Sequence, residues 1–370
     1  MPDKVLFLGV GRVGSTALRM FLKEAGDAAI LALDSNPSRR DVLPHVDNVD
    51  FKVVTKPSDL RELGRVYDLA MVALPSRVAP SYLRVLADMC IDTVDVSYIA
   101  TDPYELQPQF EKCGAVYVPD AGFAPGYSNM LVGEAQRLLG ELTQVDIVVG
   151  GIPEKPVGPL NYVVTWSAED LVEEYVRCAR IVVNGVTKCV DPLENVVKLQ
   201  LEDFGELEGF YSDGLRTLLK NVKAVNMREI TVRWPGHLEK MRLLRDLGLM
   251  DTKPLRVGAA EVAPRDVLVK VLEERLSAAK LGVADVALLE VRASGEKGNY
   301  TARAVLRGSV EKPATALFTA AVFAFSGILA LRYDLGSGVK PLENLYNYRE
   351  ELDEFLKRTG VEITRRLSPG

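Results

Sequence analysis

The sequence predicts an α/β protein: a doubly wound parallel sheet followed by a second, α+β domain built on a mixed sheet. Three observations carry this. An apolar run, Lys4-Val5-Leu6-Phe7-Leu8, passes straight into Gly9-Val10-Gly11-Arg12-Val13-Gly14 and then into a helix-like stretch ending near Gly26. Short apolar runs separated by helix-length stretches recur as far as Val118, the rhythm of a parallel sheet. Beyond Asp120 the strand-like runs have fewer helices between them, which implies mixed or antiparallel pairing.

The opening segment has the spacing of a Rossmann dinucleotide fingerprint. Gly9 permits the tight strand-to-helix turn, Gly11 lets the backbone approach a pyrophosphate, and Gly14 lets the helix pack on the strand. The amides of the helix start, through Arg12 and Val13, then face the phosphates. A second apolar run, Ala29-Ile30-Leu31-Ala32-Leu33, delivers Asp34, with Ser35 beside it, where a carboxylate accepts from a ribose 2′-hydroxyl. This predicts NAD. NADP stays the lesser expectation, because Arg39 and Arg40 follow but Asp34 repels a 2′-phosphate; the two arginines read as solvated charges. Further strands are predicted over 49–54, 69–74, 93–97 and 116–118. Ligands of such sheets lie at the carboxyl ends of the strands, so Leu74, Pro75, Asp95, Ser97, Tyr98 and Asp120 join Gly9 and Asp34 around one crevice, with Gly122 just after.

Ala121-Gly122-Phe123-Ala124-Pro125-Gly126 carries too many turn residues for a strand and precedes a helix-like run over 130–139, which sets the boundary. The expected domains are 1–124, the dinucleotide-binding domain joined by the C-terminal helical segment 313–370, and 125–312, for substrate binding and dimerisation. Strands are predicted at 146–150, 160–166, 180–184 and 228–234, and a hairpin of 287–294 with 300–307 around Gly295-Glu296-Lys297-Gly298. Helices over 239–247 and 264–276 cover one face. The tail from Gly336 reads as polar and partly helical.

Composition removes several function classes. The chain has 370 residues, 48% hydrophobic and 26% charged, with a net charge of −6 and no basic stripe, which disfavours nucleic acid as a partner. Met1 leads directly into the first strand without a signal-like segment, so a cytoplasmic protein is expected. The four cysteines, Cys90, Cys113, Cys178 and Cys189, lack metal-site spacing, and only His45 and His237 offer imidazoles, so no metal is expected. The cysteines read as buried packing residues, with disulfides an alternative in a hyperthermophile. The uncharged run 314–331 is almost long enough to span a membrane, but its threonines, serine, glycine and many alanines favour a helix buried between domains.

Three segments make the sequence specific: Asp120-Ala121-Gly122-Phe123-Ala124-Pro125-Gly126 followed by Asn129, then Gly150-Gly151-Ile152-Pro153, then Thr231-Val232-Arg233-Trp234-Pro235-Gly236-His237. In that order they resemble the saccharopine dehydrogenase superfamily. Within it the chain most resembles bacterial and archaeal L-lysine 6-dehydrogenases, which share the alanine before Pro125-Gly126 and the Pro264-Arg265-Asp266 segment. Glutamate-forming saccharopine dehydrogenases are similar around Ser97-Tyr98-Ile99 but typically carry aspartate at the place of Ala124. The resemblance implies oxidative deamination at the ε-carbon of lysine: hydride passes to NAD, an imine forms, and water releases ammonia. It also implies a homodimer. Saccharopine or a carboxyalkyl amine is the alternative substrate, and a catalytically silent NAD-binding protein the alternative class.

That chemistry requires a proton acceptor for the ammonium and groups for an amino acid's charges. Asp120 is the candidate beside the nicotinamide, with a helix cap or turn as its ordinary role. His237 after a Pro-Gly turn is a second proton acceptor, or else a helix cap. Tyr98 is a third catalytic candidate and Asp95 a substrate contact, against core packing and capping. Arg233 suits a substrate carboxylate through a bidentate pair, unless it is a surface ion pair. Pro125, Gly126 and Asn129 line the substrate side, and the resemblance adds Asp213 and Arg216 as pocket wall.

Overall fold

The computed structural model describes residues 2–369. The chain forms two compact units: Met1–Glu134 with Ala316–Thr359, and Ala135–Thr315 with Gly360–Gly370.

In the first unit the apolar runs become parallel strands β1 (Lys4–Leu8), β2 (Ala29–Asp34), β3 (Val49–Val53), β4 (Leu69–Val72), β5 (Asp92–Asp95) and β6 (Val116–Val118). With the short strand Gly338–Val339 they form a seven-stranded sheet in the order Gly338–Val339, β6, β5, β4, β1, β2, β3. That is the doubly wound order, whose reversal between β1 and β4 opens a crevice at the strand ends. The central strands are apolar because both faces are covered: Leu6, Leu8, Val72, Leu83, Phe110 and Tyr117 belong to one buried cluster. The apolar run near the C-terminus is the helix Ala314–Arg332, long and apolar enough to cross a membrane yet mostly buried within the protein. Phe323 packs edge-on against Phe7 at 5.8 Å, and a Cβ on Gly327 would lie 2.6 Å from the Met71 sulfur, so only glycine lets the helix sit this close to β4.

The second unit is a mixed sheet. Its main path runs Val197–Leu201, Gly205–Ser212, Ala224–Arg233, Leu142–Pro153, Asp285–Gly295, Gly298–Arg307 and Glu362–Ser368. Ala224–Arg233 and Leu142–Pro153 are parallel; the other neighbours on this path are antiparallel. The predicted hairpin is present, closed by Glu296 and Lys297 between the paired Gly295 and Gly298. Helices Ala168–Val176, His237–Asp246 and Pro264–Leu276 contribute Leu171, Tyr175, Leu238, Met241 and Leu272 to a second core with Tyr162 and Phe210.

Four expectations need correction. Residues 160–166 form no strand: Gly158 and Asn161 adopt left-handed conformations, and a single bridge, Val164 to Ser277, is the only sheet-like pairing among those described there. The tail does not stay with the first unit throughout, because Glu362–Ser368 supplies an antiparallel partner for Gly298–Arg307. The cysteines pair as Cys90–Cys113 and Cys178–Cys189, each with Cα atoms within disulfide span, 5.3 and 5.6 Å apart, instead of packing as free thiols. The unit break falls at Glu134/Ala135, inside the helix Tyr127–Leu139, ten residues after the boundary read at residue 124.

Candidate functional site

In the first unit the glycine-spaced turn has the geometry of a cradle. Gly9 is left-handed (φ +85°), and a Cβ on it would stand 2.3 Å from the Ala73 carbonyl oxygen. A Cβ on Gly14 would stand 1.9 Å from the Gly9 carbonyl oxygen, so the helix Arg12–Ala25 can close on β1 only through glycine. Gly11 differs: a Cβ there would meet nothing within 4 Å, which leaves its backbone open to a ligand at the helix start. Arg12 is exposed and Val13 half-buried at that end. Asp34 ends β2 with its carboxylate accepting from the Val10 amide at 3.0 Å and the Asn36 amide at 2.9 Å, tying the turn to the strand end. Ser35 is exposed next to it, as are Arg39 and Arg40 in the following 3₁₀ turn. Leu74 and Pro75 leave β4 beside Ala73, and Leu74 Cδ2 is 3.2 Å from the Gly9 Cβ position.

The second edge of the crevice is built around Asp95. Its carboxyl is fully buried and accepts from the Ser97 amide at 2.9 Å and from the Tyr117 hydroxyl at 3.2 Å; its carbonyl accepts from the Ala121 amide at 2.8 Å. Burial pushes it up to about 7; hydrogen bonds from Ser97 and Tyr117 oppose the shift and the Asp120 charge adds to it. Asp95 therefore holds two loops together, and the expected contact with substrate gives way to that positioning role. Tyr98, next along the chain, is half-buried.

Asp120 is 4% exposed and left-handed (φ +53°), a conformation aspartate tolerates better than most residues. The loop folds back on itself: the Gly122 amide donates to the Asp120 carbonyl at 2.8 Å, and a Cβ on Gly126 would stand 2.1 Å from the Gly122 oxygen. Ala124–Pro125 is a cis peptide. Asn129 Oδ1 accepts from the Gly126 amide at 3.3 Å and the Ser128 hydroxyl at 2.9 Å. The structure thus gathers Asp95, Ser97, Asp120, Gly122, Pro125, Gly126 and Asn129 at one edge of the first unit.

His237, Arg233, Asp213 and Arg216 belong to the second unit and are all buried. His237 is fully buried at the start of its helix. Its Nδ1 lies 2.7 Å from the Leu160 carbonyl, which can only accept, so Nδ1 carries the proton and Nε2 accepts from the Tyr175 hydroxyl at 2.8 Å. Burial and then the Arg233 charge push His237 down to about 3, against the pull of the Leu160 carbonyl. A substrate ammonium has no free nitrogen here to protonate, so the expected proton acceptor is a neutral anchor. Arg233 is 2% exposed and fully engaged: Nη2 meets Glu174 Oε2 at 2.6 Å, Nε donates to Tyr175 at 3.0 Å and Nη1 to the Val232 carbonyl, while its guanidinium lies 4.8 Å from the Tyr162 ring centre. It is an internal tie, neither a surface pair nor a free carboxylate clamp. Asp213 is held in bidentate fashion by Arg180 at 2.7 and 2.8 Å. Arg216 is 4% exposed and left-handed (φ +51°).

Sequence reasoning missed Glu174, Tyr175, Arg180 and a carboxyl at Glu229, which is 3% exposed and pushed up to about 8 by burial, with the Glu174 and Asp213 charges adding to the effect. The signal was present in the alternation Glu229, Thr231, Arg233, three polar residues on one face of the strand Ala224–Arg233.

Comparison with known proteins bears on the family and the fold. The saccharopine dehydrogenase C-terminal domain family matches residues 122–361. Among solved structures, the chain is similar to apo saccharopine dehydrogenase (L-Glu forming) from Saccharomyces cerevisiae, at 17% identity and TM-score 0.75, over 99% of this chain and 100% of that one. It is also similar to the homospermidine synthase from Legionella pneumophila solved in complex with NAD, at 14% identity and TM-score 0.67, over 100% and 92% of the two chains. At such identities the likeness establishes the shared fold.

Proposed function

The chain belongs to the saccharopine dehydrogenase C-terminal domain family, and from that premise we propose that it is an NAD-linked oxidoreductase that oxidatively deaminates the terminal amine of L-lysine. The observation that carries the reading is the Gly9–Gly14 turn, closed by glycine on both sides and open at Gly11, with Asp34 anchored beside it. A pyrophosphate fits at the open Gly11 backbone and helix start, and a ribose at Asp34. NAD, when bound, accepts hydride from the amine-bearing carbon. The NAD complex of the homospermidine synthase relative supports that choice of coenzyme.

The chain's own part is to hold the substrate and move its proton. An ammonium must lose a proton before its carbon can give up hydride, and Asp120, buried in the loop after β6, takes it. Asp95 fixes that loop through Ala121, and Gly122, Pro125, Gly126 and Asn129 shape its inner surface. Water then adds to the imine and ammonia leaves. We take the working form to be a cytoplasmic homodimer, a point for light scattering and fractionation.

Purified protein with NAD and a panel of L-lysine, ornithine, saccharopine and diamines, followed by NADH absorbance, tests the reading. L-Lysine is expected to be the best substrate, and Asp120→Asn to lower turnover about 100-fold or more without loss of folding. Preference for saccharopine would transfer the activity to a secondary amine; near-normal turnover by Asp120→Asn would remove Asp120 from its role.

A further inference from the structure

In the second unit, residues 243–271 carry an uncovered apolar surface. Among the described residues, six of the sixteen exposed large apolar side chains fall there: Leu243, Leu247, Leu255, Val257, Val267 and Val271, each 49–67% exposed. The other ten are spread along the rest of the chain, the ordinary scatter of a folded surface. Each element shows the cause. The helix His237–Asp246 turns Leu238 and Met241 into the core and leaves Leu243 outside, with Leu247 one turn later at its cap. The helix Pro264–Leu276 buries Leu268 and Leu272 and exposes Val267 and Val271, again four residues apart. Between the helices, Leu255–Val257 and Ala260–Val262 form a two-stranded sheet of their own. Leu255 stands opposite Val262 and Val257 opposite Ala260, so one face of this hairpin is wholly apolar, while Arg256 opposite Glu261 makes the other charged.

A ribbon of two strands alone is marginally stable in water and gains from a covering surface. This one is anchored at its base: Arg265 donates from its backbone amide to the Asp251 carbonyl at 3.1 Å and from Nε to the Met250 carbonyl at 2.8 Å. Those bonds join the segment after one helix to the start of the next, so Leu247 and Val267 flank one junction. Size and charge identify the occupant. Eighteen of the twenty-nine residues are exposed, close to the about 20–30 that each partner supplies to a standard interface. The hairpin and its base carry Asp251, Lys253, Arg256 and Glu261, two charges of each sign. A polyanion or an anionic bilayer requires an excess of positive charge, which this segment lacks. An apolar, charge-balanced surface is complementary to itself, as the isologous contact of a two-fold dimer requires.

We propose that this face, hairpin included, is the surface through which two copies of the chain associate. The inference deepens the homodimer reading above and uses nothing of the amine chemistry. Each copy contributes the same patch, so the hairpin's apolar face and the outer stripes of both helices are covered together.

Sedimentation equilibrium of the full chain over a concentration series tests this. The wild type is expected at twice the mass of one chain. Leu255→Glu/Val257→Glu sets unpaired carboxylates into the contact and should weaken association about 100-fold or more, and Leu247→Glu, on the helix side, about tenfold or more. All three positions are exposed, so circular dichroism should remain that of the wild type. Val186→Glu, equally exposed but outside the segment, should keep the dimer. A dimer that the hairpin and helix variants both retain at wild-type strength would overturn the surface and leave the homodimer standing, as would equal weakening by Val186→Glu. A wild type that stays monomeric would overturn both, and its flotation with phosphatidylcholine vesicles would assign the face to lipid instead. Amine turnover enters none of these outcomes, so failure here is distinguishable from failure of the redox reading.

Discussion

Asp95→Asn is expected to make the protein more stable as the pH rises. In the wild type the folded carboxyl sits at about 7 against an ordinary 3.8, because it is fully buried and the Asp120 charge faces it. Since the folded value lies above the unfolded one, the stability this group lends is complete below pH 3.8 and is lost as pH rises through about 7. Each pH unit in that window costs about 1.4 kcal/mol, so the ceiling on the loss is about 4 kcal/mol. Asparagine mimics the neutral acid: its oxygen accepts from the Ser97 amide and its amide group meets the Tyr117 hydroxyl. Melting curves of the two proteins should nearly coincide at pH 4, diverge as pH climbs, and run parallel above pH 7. For a unit of this size the final gap is on the order of 10 °C in favour of the variant. Parallel pH profiles across the whole range would refute the raised Asp95 carboxyl.

Other consequences are simpler to read. Gly14→Ala drives a methyl into the Gly9 carbonyl, and should cost about 1–3 kcal/mol of stability and weaken coenzyme binding about tenfold, measured by melting and titration. Arg233→Ala strands the buried Glu174 and unseats Tyr175 and His237, for a loss of about 3–5 kcal/mol in chemical denaturation. Nitrogen-detected NMR of the two histidines should show His237 neutral, protonated on Nδ1 and flat from pH 8 to pH 5; a midpoint in that range would restore it as a proton acceptor.

Local signals carried most of the first unit. Its strands are short apolar runs, and Gly9 and Gly14 sit where close backbone contacts exclude any side chain, so spacing disclosed both sheet and cradle. The hairpin at Gly295-Glu296-Lys297-Gly298 was readable for the same reason. A comparable signal was overlooked: Asn184 and Gly185, both left-handed, turn the hairpin of Ala179–Val183 and Val186–Val190, although the latter strand is too exposed to show an apolar run. Ser167 caps the helix Ala168–Val176 by accepting from the Asp170 amide, and that helix brings Glu174 and Tyr175 to Arg233. Without that helix, Arg233 and His237 read as free groups near a turn. Burial and pairing over 58 to 77 residues of separation, which no local pattern encodes, turned them into internal ties. Glu362–Ser368 was hidden likewise, because an edge strand with mostly exposed side chains lacks the apolar alternation that marks inner strands.

Coenzyme binding in the Gly9–Gly14 turn is the premise of the redox account, and calorimetric titration of the intact, folded chain with NAD and with NADP addresses it directly. Saturable uptake of NAD at one site per chain is expected, with NADP weaker because Asp34 faces its extra phosphate. Folded protein that takes up neither coenzyme would contradict the account.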